Sequence, residues 1–277
     1  MKLKFLGTAA AEAIPALWCE CEVCKKAKAL GGKEIRRRCS YLLDDDTLID
    51  FGPDAYWQSV EFNIDLPSIK RIVFTHSHSD HLNPVDLFWR FSPCFSFVSK
   101  TLTVIGRPRI FGRIIEHAGA AGVSDFDTLH LKRVPAVPGE RLLDGDLELL
   151  PLGANHDPHS DPLVYVFKRG GKSVLVANDT GWLSEESWKL LEGVKLDAAV
   201  IECTCGIKGA QCRDGHMGAE TSVAFRKRLV ESGSLAPDAP VAVNHFSHNG
   251  GANHDDFVKY FAPHGIEVAW DGFTLEV

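Results

Sequence analysis

Short apolar runs recur along the whole chain, each closed by a polar or glycine-containing turn, with longer amphipathic stretches between them. Lys2–Leu6, Ser40–Leu43 and Thr47–Phe51 read as strands, the last two separated by the acidic turn Asp44-Asp45-Asp46. Lys70–Phe74 and Leu102–Ile105 read as further buried strands, and Pro84–Phe91 and Arg109–Ala121 as helices. The second half repeats the theme, with strands at Leu147–Leu152, Leu163–Lys168, Ser173–Val176, Leu196–Ile201 and Val241–Val243. Helical patterns cover Glu185–Leu191, Ala219–Val230 and Phe257–Phe261, and short strands near Val268 and at Phe273–Val277 close the chain. No glycine/serine linker or shift in composition divides the halves, so residues 1–277 read as one domain. The order predicts an α/β fold, two stacked sheets flanked by helices in a four-layer αββα sandwich.

Composition changes this picture little. With 45% apolar and 24% charged residues, neither a disordered nor a fibrous class is expected. The net charge is -7 and no long basic run exists, which disfavours a nucleic-acid partner, because such affinity rests on phosphate neutralisation. Arg36-Arg37-Arg38 is the one basic cluster, read either as a solvated turn or as a guide for an anionic substrate. Lys2, Lys4 and Phe5-Leu6 begin like an export signal, but Gly7, Thr8, Glu12 and Pro15 interrupt it. No run of about 18 apolar residues occurs, so no membrane association is expected and a cytoplasmic location is. In that compartment the eight cysteines are expected to be mostly reduced, and their clustering reads as metal binding.

The densest chemistry follows the apolar run Ile72-Val73-Phe74. Thr75-His76-Ser77-His78-Ser79-Asp80-His81 packs three imidazoles and a carboxylate into six residues. Such a donor set is a poor core and a good seat for zinc, manganese or iron. Five other apolar strands also end in polar residues: Asp50, Asn155-His156, Asn178-Asp179, Glu202 and Asn244-His245. Each alone reads equally as a cap or a turn residue; together with the histidine cluster they form a converging set. Cys19, Cys21 and Cys24 supply three thiols, and His248 is the candidate fourth ligand of a closed, structural tetrahedral zinc site.

These motifs resemble the metallo-β-lactamase superfamily over nearly the full length. The Cys-x-Cys-x-x-Cys set with its distant histidine, and Arg37-Arg38-Cys39-Ser40, resemble the PhnP-like phosphodiesterases within it. The resemblance implies that His76, His78 and His156 ligate a first metal and that Asp80, His81 and His245 ligate a second. It further implies that Asp179 bridges the two and that Asp50 orients a ligand imidazole. It also implies a homodimer. His216, in Asp214-Gly215-His216-Met217-Gly218, is expected to contact the phosphoryl oxygen or to protonate the leaving alkoxide. Cys203, Cys205 and Cys212 form a looser set, read as free thiols on an irregular loop or, with His216, as a further zinc site. His117, His130, His254 and His264 read as surface or satisfied core residues, and His159 as a loop residue beside the site. The six tryptophans are expected to pack, with Trp182 a candidate pocket wall.

Charge arithmetic favours a small phosphodiester as substrate. Two divalent cations (zinc or manganese) bring about +4; Asp80, Asp179 and an ionised shared water remove three, leaving roughly +1 to meet a monoanion. No Gly-x-Ser-x-Gly elbow and no phosphate-cradling Gly-x-x-x-x-Gly-Lys loop occurs, so serine hydrolysis and nucleotide triphosphate chemistry are disfavoured. Lactone, thioester or tRNA-processing hydrolysis on the same scaffold are the alternatives, together with a non-catalytic PqqB-like role in cofactor biosynthesis. The intact His-x-His-x-Asp-His argues against that last reading.

Overall fold

The computed structural model describes all 277 residues. The first sheet is built from β1 (Lys2–Gly7), β2 (Ser40–Leu43), β3 (Thr47–Ile49), β4 (Arg71–Val73), β5 (Leu102–Gly106) and β6 (Leu131–Pro135). The second is built from β7 (Leu142–Asp144), β8 (Leu147–Gly153), β9 (Leu163–Arg169), β10 (Lys172–Ala177), β11 (Ala198–Glu202), β12 (Val241–Asn244) and β13 (Glu267–Val268). β14 (Thr274–Glu276) returns to pair antiparallel with β1, completing two seven-stranded sheets. The helices are α1 (Glu22–Leu30), α2 (Ala55–Glu61), α3 (Pro84–Phe88), α4 (Pro108–Gly119), α5 (Glu185–Leu191), α6 (Ala219–Glu231) and α7 (His254–Phe261).

Three apolar layers hold these elements together. Phe5, Tyr41, Leu149, Tyr165 and Phe167 fill the space between the sheets. Ile72, Val104, Leu87 and Ile114 join the outer face of the first sheet to α3 and α4. Leu175, Ile201, Trp188, Phe225 and Phe257 join the second sheet to α5, α6 and α7. Each such side chain contributes about 1.5–3 kcal/mol by leaving water. Three apolar seams between four layers are the expected αββα sandwich.

Parallel pairing sets up the functional end. β3 and β4 run in step, Ile49 opposite Val73, as do β10, β11 and β12, with Ala177 opposite Ile201 and Ile201 opposite Val243. Their carboxyl ends therefore finish at one level, and the polar residues that follow come out together. Asp50, Asp179 and His245 each take a left-handed conformation there (φ of 60°, 53° and 59°), which turns the chain sharply off the strand. Aspartate and histidine tolerate that region better than most residues. Gly52 is required nearby, because a Cβ at this position would lie 1.9 Å from the Asp80 carbonyl oxygen.

Several elements depart from the expected pattern. β6 and β7 have no apolar run: Lys132, Arg133 and Leu143 are exposed on these edge strands. α2 leaves Tyr56, Trp57 and Val60 largely exposed, so its sequence shows no helical stripe. α1 begins within the cysteine motif, where the Cys21 thiolate caps it by accepting from the Cys24 amide. α3 stops at Phe88, short of Phe91. Not all tryptophans pack, since Trp18 is 98% exposed. Arg36–Arg38 is neither a solvated turn nor a free anion guide. Arg36 is buried against Thr8, His254 and the Ala269 carbonyl, Arg37 pairs with Glu61 and Asp271, and Arg38 pairs with Asp54.

Candidate metal centre

The strand ends bring His76, His78, Asp80, His81, His156, Asp179 and His245 together, although they span 170 positions of sequence. Two donor sets form, and a third, Asp179 with Glu202, His216 and His245, overlaps them. His76, His78 and His156 gather with Asp179, and Asp80, His81 and His245 gather with the same Asp179. In each set the ligand atoms lie within 4.8 Å of one another. Asp179 is common to both: its Oδ2 lies 3.2 Å from His76 Nε2, 3.0 Å from His81 Nε2 and 3.6 Å from His245 Nε2, and its Oδ1 lies 3.6 Å from His156 Nε2.

The opposite nitrogen of every imidazole is already engaged. His81 Nδ1 meets Asp50 Oδ2 at 2.7 Å, and His76 Nδ1 meets Thr75 Oγ1 at 3.0 Å. His245 Nδ1 meets Thr204 Oγ1 at 2.7 Å, and His156 Nδ1 donates to the Gly215 carbonyl at 3.1 Å. His78 is turned the other way: its Nε2 meets Asp157 at 3.1 Å, leaving Nδ1 beside His76 and His156. Such outer partners fix ring orientation and tautomer for metal binding. Asp50 is itself held, accepting from the Thr75 amide and hydroxyl at 2.8 Å each.

The donors fit divalent cations on a direct test. His81 Nε2, His245 Nε2 and Asp179 Oδ1 are buried with no hydrogen-bond partner. Orphaned atoms of this kind cost about 1–3 kcal/mol each unless something binds them. Electrostatics agree for every shifted donor but His81, which burial lowers but Asp80 and Asp50 raise well above its ordinary value. Burial alone would raise the Asp179 carboxyl, yet His245, His76 and His81 hold it well below the usual range. Burial also opposes ionisation of Asp80, and His81 overcomes it. Burial lowers His76 to about 4 and lowers His245 as well, which keeps both imidazoles in the neutral, ligating form. Cations bound here would ligate through His76 Nε2, His78 Nδ1, His156 Nε2 and Asp179 on one side. On the other side the ligands would be Asp80, His81 Nε2, His245 Nε2 and the same Asp179.

His216 stands beside this set, with Nδ1 2.9 Å from Glu202 Oε1 and 3.3 Å from Asp179 Oδ1. Burial disfavours its charge, but Glu202, then Asp179 and Asp80, raise it to about 9. Glu202 is fully buried at the end of β11 and also accepts from the amides of Thr180, Thr204 and Met217. From the sequence Glu202 was one polar strand end among five, with nothing to tie it to His216. The signal was the lone carboxylate closing an otherwise apolar strand. Asp157, Thr75 and Thr204 were missed altogether, because hydrogen-bonding residues in loops carry no periodicity.

A second donor group lies apart from this centre. Cys19, Cys21, Cys24 and His248 bring four ligand atoms within 4.8 Å, with His248 Nδ1 3.4 Å from Cys19 Sγ and 3.5 Å from Cys21 Sγ. Burial opposes the Cys21 thiolate, but the Cys24 amide and His248 bring it down to about 6, whereas burial pushes Cys24 up to about 12. Three thiols and one imidazole with no fifth donor suit tetrahedral zinc. His248 Nε2 lies 3.5 Å from Glu12, which also takes the Ser247 hydroxyl. Cys203, Cys205 and Cys212 do not join His216 in a four-donor set: Cys203 is buried, and His216 turns to Glu202. His159 is exposed on its loop, and His254 is a satisfied core residue. The Trp182 ring lies under Arg213 (4.1 Å) and packs on Trp188 and Phe225.

A family model described as the beta-lactamase superfamily domain matches residues 46–234. A diphosphatase of the PhnP family superposes with a TM-score of 0.73 at 21% identity, covering 100% of this chain and 97% of the other. Zn(2+)-bound PqqB from Methylobacterium extorquens superposes at 0.72 with 18% identity, covering 100% of both chains. The short form of human tRNase Z superposes at 0.68 with 15% identity, covering 100% and 99%. At these identities the structural likeness is one of fold.

Proposed function

The chain belongs to the metallo-β-lactamase superfamily of metal-dependent hydrolases, and from that premise we propose that it hydrolyses a small cyclic or diester phosphate at a paired-cation centre. One observation carries the reading: Asp179 is shared between two donor sets while His216, gripped by Glu202, touches the same carboxylate. Two divalent cations held there supply Lewis acidity and an ionised water at neutral pH.

The protein's own groups do the rest. Asp80 and Asp179 offset part of the charge that the cations would bring, and what remains would stabilise a phosphodiester monoanion. Glu202 accepts the proton on His216 Nδ1, so Nε2 is the nitrogen left to serve the substrate. From there His216 gives a proton to the leaving alkoxide oxygen. The Cys19, Cys21, Cys24 and His248 group holds a structural zinc that ties the N-terminal loop to the loop carrying His245.

The test is hydrolysis of bis-p-nitrophenyl phosphate by protein loaded with manganese or zinc. The expected result is turnover that depends on added metal and is lost on chelation. Hydrolysis of a lactone or thioester without phosphodiester turnover would replace this reading with another hydrolase activity. Inertness of fully loaded protein towards all three would point to a non-catalytic role.

A further inference from the structure

Residues 89–101 form no helix or strand between α3 and β5. This strap covers an internal space of about 370 Å³ on the outer face of the first sheet. That is the size of pockets that hold small ligands, about 300–1,000 Å³. Leu48, Ile72 and Leu102 from three adjacent strands form its floor, and Leu87 and Val98 form its walls. No donor of either metal group lines it.

Five polar residues break the apolar lining: Asp86, Arg90, Ser96, Lys100 and the solvent-exposed Ser99. Ser96 lines the cavity, and its Oγ is buried without a hydrogen-bond partner. Lys100 lines it too, is exposed, and has no carboxylate within ion-pair distance. Arg90 spends its guanidinium on the carbonyls of Leu129, Lys100 and His130, pinning the base of the strap and adding a second positive charge. The one acid in the lining, Asp86, already accepts from Asn83 and Trp89. The vacant interactions are thus one hydroxyl and one ammonium at the edge of an apolar hole, and Phe97 (93% exposed) extends its rim.

We propose that this cavity binds a single-chain amphiphile with an anionic head, its chain laid along Leu48, Ile72 and Leu102 and its head met by Lys100 and Ser96. Each vacant group finds a partner in such a molecule, and the chain removes apolar wall from water. The cavity also reaches the metal centre through one residue. Phe51 lines it, and the Phe51 amide donates to the carbonyl of His81 at 2.8 Å.

The test is calorimetric titration of metal-loaded protein with decanoate below its micelle-forming concentration. One saturable site per chain is expected. Decanol, with the same chain and no charge, should bind about fivefold more weakly, and Lys100→Glu should weaken decanoate about tenfold. Val98→Trp, which fills the cavity, should abolish binding while thermal unfolding stays cooperative. Absence of saturable heat overturns the proposal, as does decanoate binding that neither substitution changes. Lys100→Glu alters only a surface side chain, so the test stands even if Val98→Trp fails to fold.

Discussion

His216 and Asp50 act on the same centre in different ways, and single substitutions separate them. His216 touches Asp179 but leaves every imidazole of the two donor sets with its own partner. Its replacement by alanine is expected to cut kcat by about 10²–10⁴ while metal content stays unchanged; loss of metal by elemental analysis would instead make His216 a ligand. Asp50 makes no contact with the substrate side. It fixes His81 through Nδ1 and is fully buried. Asp50→Asn is therefore expected to weaken metal affinity about 10–100-fold, read by competition with a chelator, with activity recovered at saturating metal. These roles divide by legibility. The candidate ligands are readable because His-x-His-x-Asp-His and the donors that end apolar strands are local patterns. Glu202, Asp157, Thr75 and Thr204 were not, because each is defined only by the ring nitrogen it meets.

At the scale of elements, the loop from His245 to His248 joins the two donor groups. His245 belongs to the buried centre, His248 lies with the three thiols, and Ala9 bridges to Phe246 between them. A zinc held by the thiols would thus brace the backbone that aims His245. Cys19→Ser is expected to remove one zinc of about three metal ions per chain and to lower Tm by about 5 °C or more. Metal affinity of the centre that includes His245 should fall as well. Full retention of three ions would remove the zinc assignment. Elements that bury two faces, such as β10, β11 and β12, were legible as continuous apolar runs. The edge strands β6 and β7 and the exposed helix α2 bury too little to leave a pattern, and they were missed for that reason.

On the scale of the whole molecule, stability against acid draws on a buried charged cluster outside both donor groups. Arg36 Nη2 donates to His254 Nδ1 at 3.0 Å. Burial, then Arg36 and Lys33, lower His254 to about 4 from its ordinary 6.5. Between these values the unfolded chain holds a proton that the folded chain lacks. The contribution of neutral His254 is therefore complete above pH 6.5 and is lost as pH falls through about 4. Asp271 works in the opposite sense: burial raises it to about 6, so its contribution is present below its ordinary value and lost as pH rises through about 6. The stability gap between the wild type and His254→Gln should narrow from pH 7 to pH 4.5, by up to about 1.4 kcal/mol per pH unit in urea unfolding. A gap that does not change with pH would show that His254 does not titrate there. By itself the sequence determined the layer order, the strands that end in donors, the two candidate metal-binding motifs and the superfamily, because apolar periodicity and donor spacing are properties of neighbouring residues. Only the tertiary structure decided that Glu202 grips His216, that the arginine run is held by internal partners, and that a cavity lies under residues 89–101. Each of these depends on contacts between segments far apart in the chain, which no local pattern carries.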